Sequence, residues 1–188
     1  MRCLSCRRFS ISAVCATCRE IYLTPAPKIR KLPDGLDVVS FYAYEAIEPF
    51  LLTKHLPHGW FVYRLLARSV CDGVSEGRGL YAVAVDDMPA GGYSHTSIVA
   101  KRLEKRGYRQ LRGVLRARNR VSYAGESLAF RLAHPRAFEY SGPGGIEAVL
   151  VDDIVTTGLT LQEARNTLQN AGVRVVGAIV LADADRKG

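Results

Sequence analysis

Between residues 147 and 182 the chain runs from an apolar stretch through an acid pair, a Thr/Gly turn and an amphipathic segment to a second apolar stretch. EAVLV (147–151) reads as a buried strand. TLQEARNTLQNAG (160–172) has helical spacing, with Leu161, Ala164, Leu168 and Ala171 on one face and Gly172 placed to end it. VRVVGAIVLA (173–182) reads as the next strand. A strand–helix–strand unit of this kind makes two parallel strands joined by a right-handed crossover. That commits the chain to an α/β fold around a parallel sheet. The turn between the first strand and the helix lies at the carboxyl end of the sheet, where open parallel sheets bind ligands.

The turn itself reads VLVDDIVTTGLT (149–160). A helix N-terminus offers unpaired backbone N–H groups and the positive end of a dipole. Thr156, Thr157 and Thr160 add hydroxyls, and Gly158 lets backbone approach a ligand closely. That half suits a phosphate. Asp152 and Asp153 cannot hold a phosphate directly, but they can accept hydrogen bonds from the vicinal hydroxyls of a ribose. The whole turn therefore matches a sugar phosphate. An apolar strand ending in two acids also resembles a nucleotide-hydrolase segment, but that needs a Gly-Lys-Ser/Thr loop, and the chain has none. Simple helix capping would need one such residue, not two acids and three threonines.

Upstream, VVSFYAY (38–44) is β-branched and aromatic and reads as a strand. Helices are expected at 45–56 and 60–71, the second with Phe61, Leu65, Ser69 and Val70 near one face. GLYAVAV (79–85) suits a buried strand that ends in Asp86 and Asp87. A helix is expected at about 96–106 with Ile98, Val99 and Leu103 inward, and a strand at 110–116. Residues 118–145 read as a long loop with a short helix, the kind of segment that is either a functional lid or disordered. LTPAPKIRKLPDG (23–35) is Pro-rich and basic, as linkers are. The expected division is a cysteine module at 1–24, a linker at 25–37 and an α/β domain at 38–188.

Cys3, Cys6, Cys15 and Cys18 form two C-x2-C knuckles separated by eight residues. Each knuckle aims two thiolates at one point, and two complete a tetrahedron, so structural zinc is expected. Disulfides and an iron–sulfur cluster fit less well: the N-terminus has no apolar segment of a secretion signal, and the ferredoxin spacings are absent. A cytoplasmic location follows as an expectation, and no apolar run is long enough to span a membrane. Cys71 stands alone in an apolar helical run and reads as a core thiol.

Net charge is +8. Between Lys101 and Arg136 stand eleven Lys or Arg against Glu104 and Glu126, so this window alone carries +9. With 20 Arg to 6 Lys, the chain favours the side chain that grips phosphate bidentately. A solvated surface is the plain reading, and a polyanion partner is the sharper one. Tyr108, Tyr123 and Phe130 interleave with the basic residues and could stack bases.

VLVDDIVTTGLT resembles the signature of type I phosphoribosyltransferases. Joined to the four-cysteine knuckle and the short chain, it resembles the ComF/ComFC family, associated with DNA uptake during natural transformation. The resemblance implies a phosphoribosyltransferase-like parallel sheet flanked by helices, with a small N-terminal four-cysteine zinc-binding module. It implies that Asp152, Asp153, Ile154, Val155, Thr156, Thr157, Gly158, Leu159 and Thr160 form the binding segment for phosphoribosyl pyrophosphate (PRPP), acids on the ribose and loop on the 5′-phosphate. It places the pyrophosphate loop after strand 79–85, with Asp86 and Asp87 for a bridging Mg2+ and Tyr93, Ser94 and His95 at Phe-Asn-Gln-like positions. The arginine that precedes the glycine in the family's loop is absent here. Arg116, Arg118, Arg120, Tyr123, Arg131 and Arg136 would belong to the flexible basic loop that closes over PRPP or meets DNA. The implied partners are PRPP, single-stranded DNA and the DNA-uptake machinery at the inner membrane, reached peripherally. A conventional phosphoribosyltransferase of nucleotide or nucleobase metabolism is the alternative.

Overall fold

The computed structural model of the chain describes residues 1–86, 92–119 and 128–184. Asp87, Arg120 and Tyr123 lie outside the described residues, as does the side chain of Arg131. The chain opens with the cysteine knuckles and helix α1 (Ala16–Tyr22). Strands β1 (Lys28–Lys31) and β2 (Asp37–Ala43) follow, then helix α2 (Tyr44–Leu51), a 3₁₀ turn (Leu52–His55) and helix α3 (Gly59–Gly73). Strand β3 (Tyr81–Ala84) leads to helix α4 (His95–Leu103), a second 3₁₀ turn (Glu104–Arg106) and strand β4 (Arg109–Leu111). Strand β5 (Leu115–Ala117), helix α5 (Leu128–Ala133) and strand β6 (Phe138–Tyr140) precede the last unit, β7 (Glu147–Val155), α6 (Leu159–Asn170) and β8 (Arg174–Asp183).

The main sheet has the order β1-β2-β8-β7-β3-β4. All its neighbours are parallel except β1, which runs antiparallel along the edge of β2. The expected parallel α/β sheet is present, with β7 at its centre. One face packs against α2, α3, α4 and the cysteine module, through Phe41, Ile47, Leu66, Val99, Val149 and Val151. The other packs against α6 and the β5–β6 hairpin, through Leu150, Leu161, Leu168, Val180, Leu115 and Phe138. Burying a leucine such as Leu161 or Leu168 contributes about 1.5–3 kcal/mol. Gly172 has φ +78 just past the end of α6, and the Val173 N–H donates to the Leu168 carbonyl, closing the helix as its glycine predicts.

The structure departs from the sequence expectation in four places. β7 does not stop at Val151 but continues through both aspartates, because Asp152 and Ile154 keep ladder partners in Val180 and Ala182 of β8. The single strand expected at 110–116 is two: Gly113, at φ +63, breaks the run, leaving β4 in the main sheet and β5 in a hairpin with β6. Within 25–37, expected as a linker, β1 pairs with β2, and Leu32 and Leu36 are buried against the α6 face. In α3 the core stripe is Val62, Tyr63, Leu66, Ala67, Val70 and Cys71, while Phe61 is exposed.

Candidate sugar-phosphate site

Pleating alternates side chains between the two faces of a strand. Along β7, Ala148 and Leu150 face the α6 layer, and Val149 and Val151 face the α2–α4 layer. Asp153 continues the second series and Asp152 the first. The Asp153 N–H also donates to Asp152 Oδ1 at 2.8 Å. Both residues are buried. The turn 156–158 then carries the chain into α6. Gly158 has φ +84, and a Cβ there would sit 2.6 Å from Leu32 Cδ1. Only glycine fits both demands. Thr157 is exposed, Thr156, Leu159 and Thr160 are half-buried, and residues 154–156 with 158–161 enclose a hollow of about 20 Å³. α6 has no side-chain cap, so its first N–H groups stand available beside the turn. The guanidinium of Arg30, from β1, donates to the Thr156 carbonyl at 2.7 Å and lies 3.2 Å from Asp183 of β8. An edge strand thus braces the turn from 126 residues away.

Three elements converge on one oxygen of Asp153. Lys54 Nζ, from the 3₁₀ turn after α2, lies 2.8 Å from Oδ2. The Tyr63 hydroxyl, from α3, donates to the same oxygen at 3.4 Å, and His95 Nε2, the first residue of α4, is also at 3.4 Å. His95 stacks edge-on against Tyr63 at 5.3 Å between ring centroids. Burial pushes the Asp153 carboxyl up, but the His95 hydrogen bond and the Lys54 charge overcome it and hold the group well below the usual carboxylate range. Asp152 goes the other way: burial and the Asp153 charge drive it well above that range, against the Asp153 N–H and the charges of Lys54 and Arg136. Burial and the Asp153 charge also raise Tyr63, which stays a neutral donor. The sequence places His95 in the pyrophosphate loop, not on Asp153, and it assigns no site role to Lys54, Tyr63 or Arg30. Lys54 does leave a trace in the sequence, as a lone cation inside the apolar run FLLTKHL (50–56).

The other candidates after β3 serve the scaffold. Ser94 caps α4, its Oγ accepting from the Ser97 N–H at 3.2 Å. The Tyr93 hydroxyl donates to the Lys54 carbonyl at 2.8 Å and so pins the turn that carries Lys54. Asp86 has φ +51, accepts from the Ala117 N–H at 3.0 Å and lies 3.3 Å from Arg136. Both its oxygens are engaged, and Asp87, its partner in the expected Mg2+ site, lies outside the described residues.

The basic residues gather mainly elsewhere. A groove of about 800 Å³ runs between α3 and α4. Its lining includes Arg64, Arg68, Lys101, Arg102, Lys105, Arg112 and Arg116, with Glu104 the one acid among the described residues. Trp60 stands on the same groove, with the Arg64 guanidinium 4.3 Å from its ring centroid. Tyr93 and Ser94 line its near end, next to His95. Arg118 instead pairs with Glu139 across the hairpin at 2.8 Å. Tyr108, expected to stack bases, is buried beside Gly77, where a Cβ would meet its ring at 2.3 Å. Its ring completes the core and is closed to a ligand.

The four N-terminal sulfurs lie within 4.8 Å of one another. Cys6 and Cys15 are 3.7 Å apart, close to the separation of about 3.8 Å that two ligands of tetrahedral zinc require. Burial raises the Cys3 thiol, but the backbone N–H groups of Cys15, Cys6 and Ser5 outweigh it and bring it down to about 6. Ser5 pulls Cys18 down, yet burial and the neighbouring sulfurs push it up to about 11. Such a set gives up its remaining protons to a soft cation. Four sulfurs leave no open position, so a metal here would be structural.

Residues 139–188 match the family model of the phosphoribosyl transferase domain, a segment that holds the end of β6, then β7, the turn, α6 and β8. An orotate phosphoribosyltransferase from Pyrobaculum calidifontis is 42% identical over 53 residues, 28% of this chain and 28% of that protein's length. Among solved structures, an adenine phosphoribosyltransferase from Rhodothermus marinus aligns over 90% of this chain and 88% of its own, at 18% identity and a TM-score of 0.47. An orotate phosphoribosyltransferase from Aeropyrum pernix aligns over 89% and 80%, at 21% identity and a TM-score of 0.42. The matched segment and the parallel sheet around it define a phosphoribosyltransferase-like α/β fold, here with a four-cysteine cluster close enough to hold a metal.

Proposed function

We propose that the chain binds PRPP at the β7–α6 turn, the ribose on the acid pair and the 5′-phosphate on Thr156, Thr157, Gly158 and Thr160 ahead of the free N–H groups of α6. The observation that carries this reading is the turn itself: buried carboxylates, a left-handed Gly158 and an uncapped helix start, inside the segment that matches the family model. Zinc on the four cysteines would supply structure only. Mg2+ would arrive with the pyrophosphate of the ligand, near Asp86 and Asp87. Calorimetry with Mg2+ and PRPP tests the reading. The wild type should bind, and the double substitution Asp152→Ala and Asp153→Ala should not. A wild type that gives no heat would refute it.

The groove supports a second reading, in which the same chain handles single-stranded DNA in DNA uptake, peripherally at the inner membrane. Seven cations with the Trp60 and Tyr93 rings on a continuous groove suit a phosphate backbone with stacked bases. Gel shifts with single-stranded DNA should weaken steeply between 50 and 200 mM salt. Arg64→Glu with Arg68→Glu should abolish them while leaving PRPP binding intact. A salt-insensitive shift would count against the DNA reading and leave a conventional phosphoribosyltransferase of nucleotide metabolism. No helix among the described residues is long and apolar enough to cross a membrane.

A further inference from the structure

We propose that Lys54 is a positioning residue of the sugar site, the counter-ion that holds Asp153 as an oriented carboxylate with one oxygen kept for a ribose hydroxyl. This rests on the PRPP reading. The geometry is asymmetric. Lys54, Tyr63 and His95 all address Oδ2, and among the described residues Oδ1 takes no donor. Asp153 is buried, and a buried carboxylate persists only when a cation or several donors face it. Lys54 makes the shortest of the three contacts and is the only permanent cation among them.

The surroundings agree. Tyr44 and His55 stand near the same carboxylate from the two ends of the α2 region, Asp152 adjoins it on β7, and Arg136 lies toward Asp152. Burial and the Asp153 charge disfavour the ionised form of Asp152, and the ammonium of Lys54 stands against Asp153 itself. Lys54 is itself aimed by the scaffold. Thr53 Oγ1 donates to the Phe50 carbonyl at 2.6 Å, and Tyr93 holds the Lys54 carbonyl. The α2–α3 turn is therefore part of the sugar site, although it lies about a hundred residues before the acids in sequence.

Two measurements test this on the intact chain. Calorimetry with PRPP and Mg2+ is run from pH 6 to 9 on the wild type, Lys54→Met and Lys54→Arg. Lys54→Met should lose about tenfold or more in affinity near pH 6. It should recover as pH rises, because an uncompensated Asp153 must be deprotonated before it can accept a hydroxyl. Lys54→Arg keeps the charge and should follow the wild-type profile. The second measurement, NMR titration of the Asp153 carboxyl carbon, needs no ligand. Asp153 should stay ionised to the lowest pH at which the wild type remains folded, and should titrate at higher pH in Lys54→Met. If Lys54→Met does not fold, Lys54→Gln, which keeps a donor without the charge, replaces it. Unchanged Asp153 titration, or equal PRPP affinity with a flat pH profile, overturns the role of Lys54. A wild type that ignores PRPP while Asp153 responds to Lys54 overturns the PRPP reading and leaves the counter-ion assignment standing.

Discussion

Asp152 and Asp153 adjoin in sequence but belong to opposite faces of β7, and their chemistry diverges accordingly. Asp153 gains a cation and two further donors, whereas Asp152 gains mainly burial and a like charge. A carboxyl whose folded pKa is raised binds its proton more tightly when folded, so its contribution to stability falls as pH rises from about 4 towards the folded value. Asn at position 152 removes that fall and keeps an oxygen for the Asp153 N–H. Asp152→Asn should therefore melt above the wild type at pH 8, with the gap closing towards pH 4, and should bind PRPP more weakly; thermal melts across pH together with calorimetry check both. Gly158 makes a sharper case. Alanine there meets a left-handed φ, a cost of roughly 1–2 kcal/mol, and a collision with Leu32. Gly158→Ala should lower the melting temperature by about 2–4 °C per kcal/mol lost and abolish PRPP binding, read by melts and calorimetry. Gly145→Ala, at φ +68 but with nothing within 4 Å of its Cβ, serves as the control that costs stability alone.

At the scale of elements, the site depends on how α2 ends. Pro49 lies inside α2 and cannot donate within the helix, and three residues later the chain tightens into the 3₁₀ turn that carries Lys54. α3 then starts at Gly59, whose Cβ would fall 2.0 Å from the Thr53 carbonyl oxygen and 2.2 Å from the Tyr93 hydroxyl. That contact suits the rotation of α3 that turns Tyr63 to Asp153 and Phe61 to solvent. Gly59→Ala should push the turn off Asp153, weakening PRPP binding severalfold and raising the Asp153 pKa, with NMR of that carboxyl as the check. The helical period of 60–71 was legible in the sequence, but the phase expected from it is not the one adopted. Phe61 shares its face with the exposed Arg64, Arg68 and Asp72, and the close approach at Gly59 suits that rotation. The strand at 79–85 and the unit from 147 to 182 were legible because long apolar runs and a terminal glycine leave few alternatives.

For the molecule as a whole, the cysteine module is continuous with the main core. Cys3, Val14, Cys18 and Leu23 share one buried cluster with Phe41, Phe50 and Tyr63. Stripping a metal from the four sulfurs should therefore destabilise the whole chain. The purified protein should carry one zinc per chain by elemental analysis, and a strong chelator should lower its single melting transition by several degrees without first abolishing PRPP binding. Read alone, the sequence was enough to determine the parallel βαβ unit, the clustering of four cysteines and the acid-pair turn at a strand's carboxyl end, because each is written in one short continuous stretch of chain. What only the tertiary structure decided is non-local. β1 turned a Pro-rich stretch into an edge strand bracing Thr156, Tyr108 was drawn into the core, and the basic residues were split between the groove and ion pairs. Lys54 met Asp153 across 99 residues. A buried charge takes whichever opposite charge the packing delivers, and spacing along the chain carries no record of that choice.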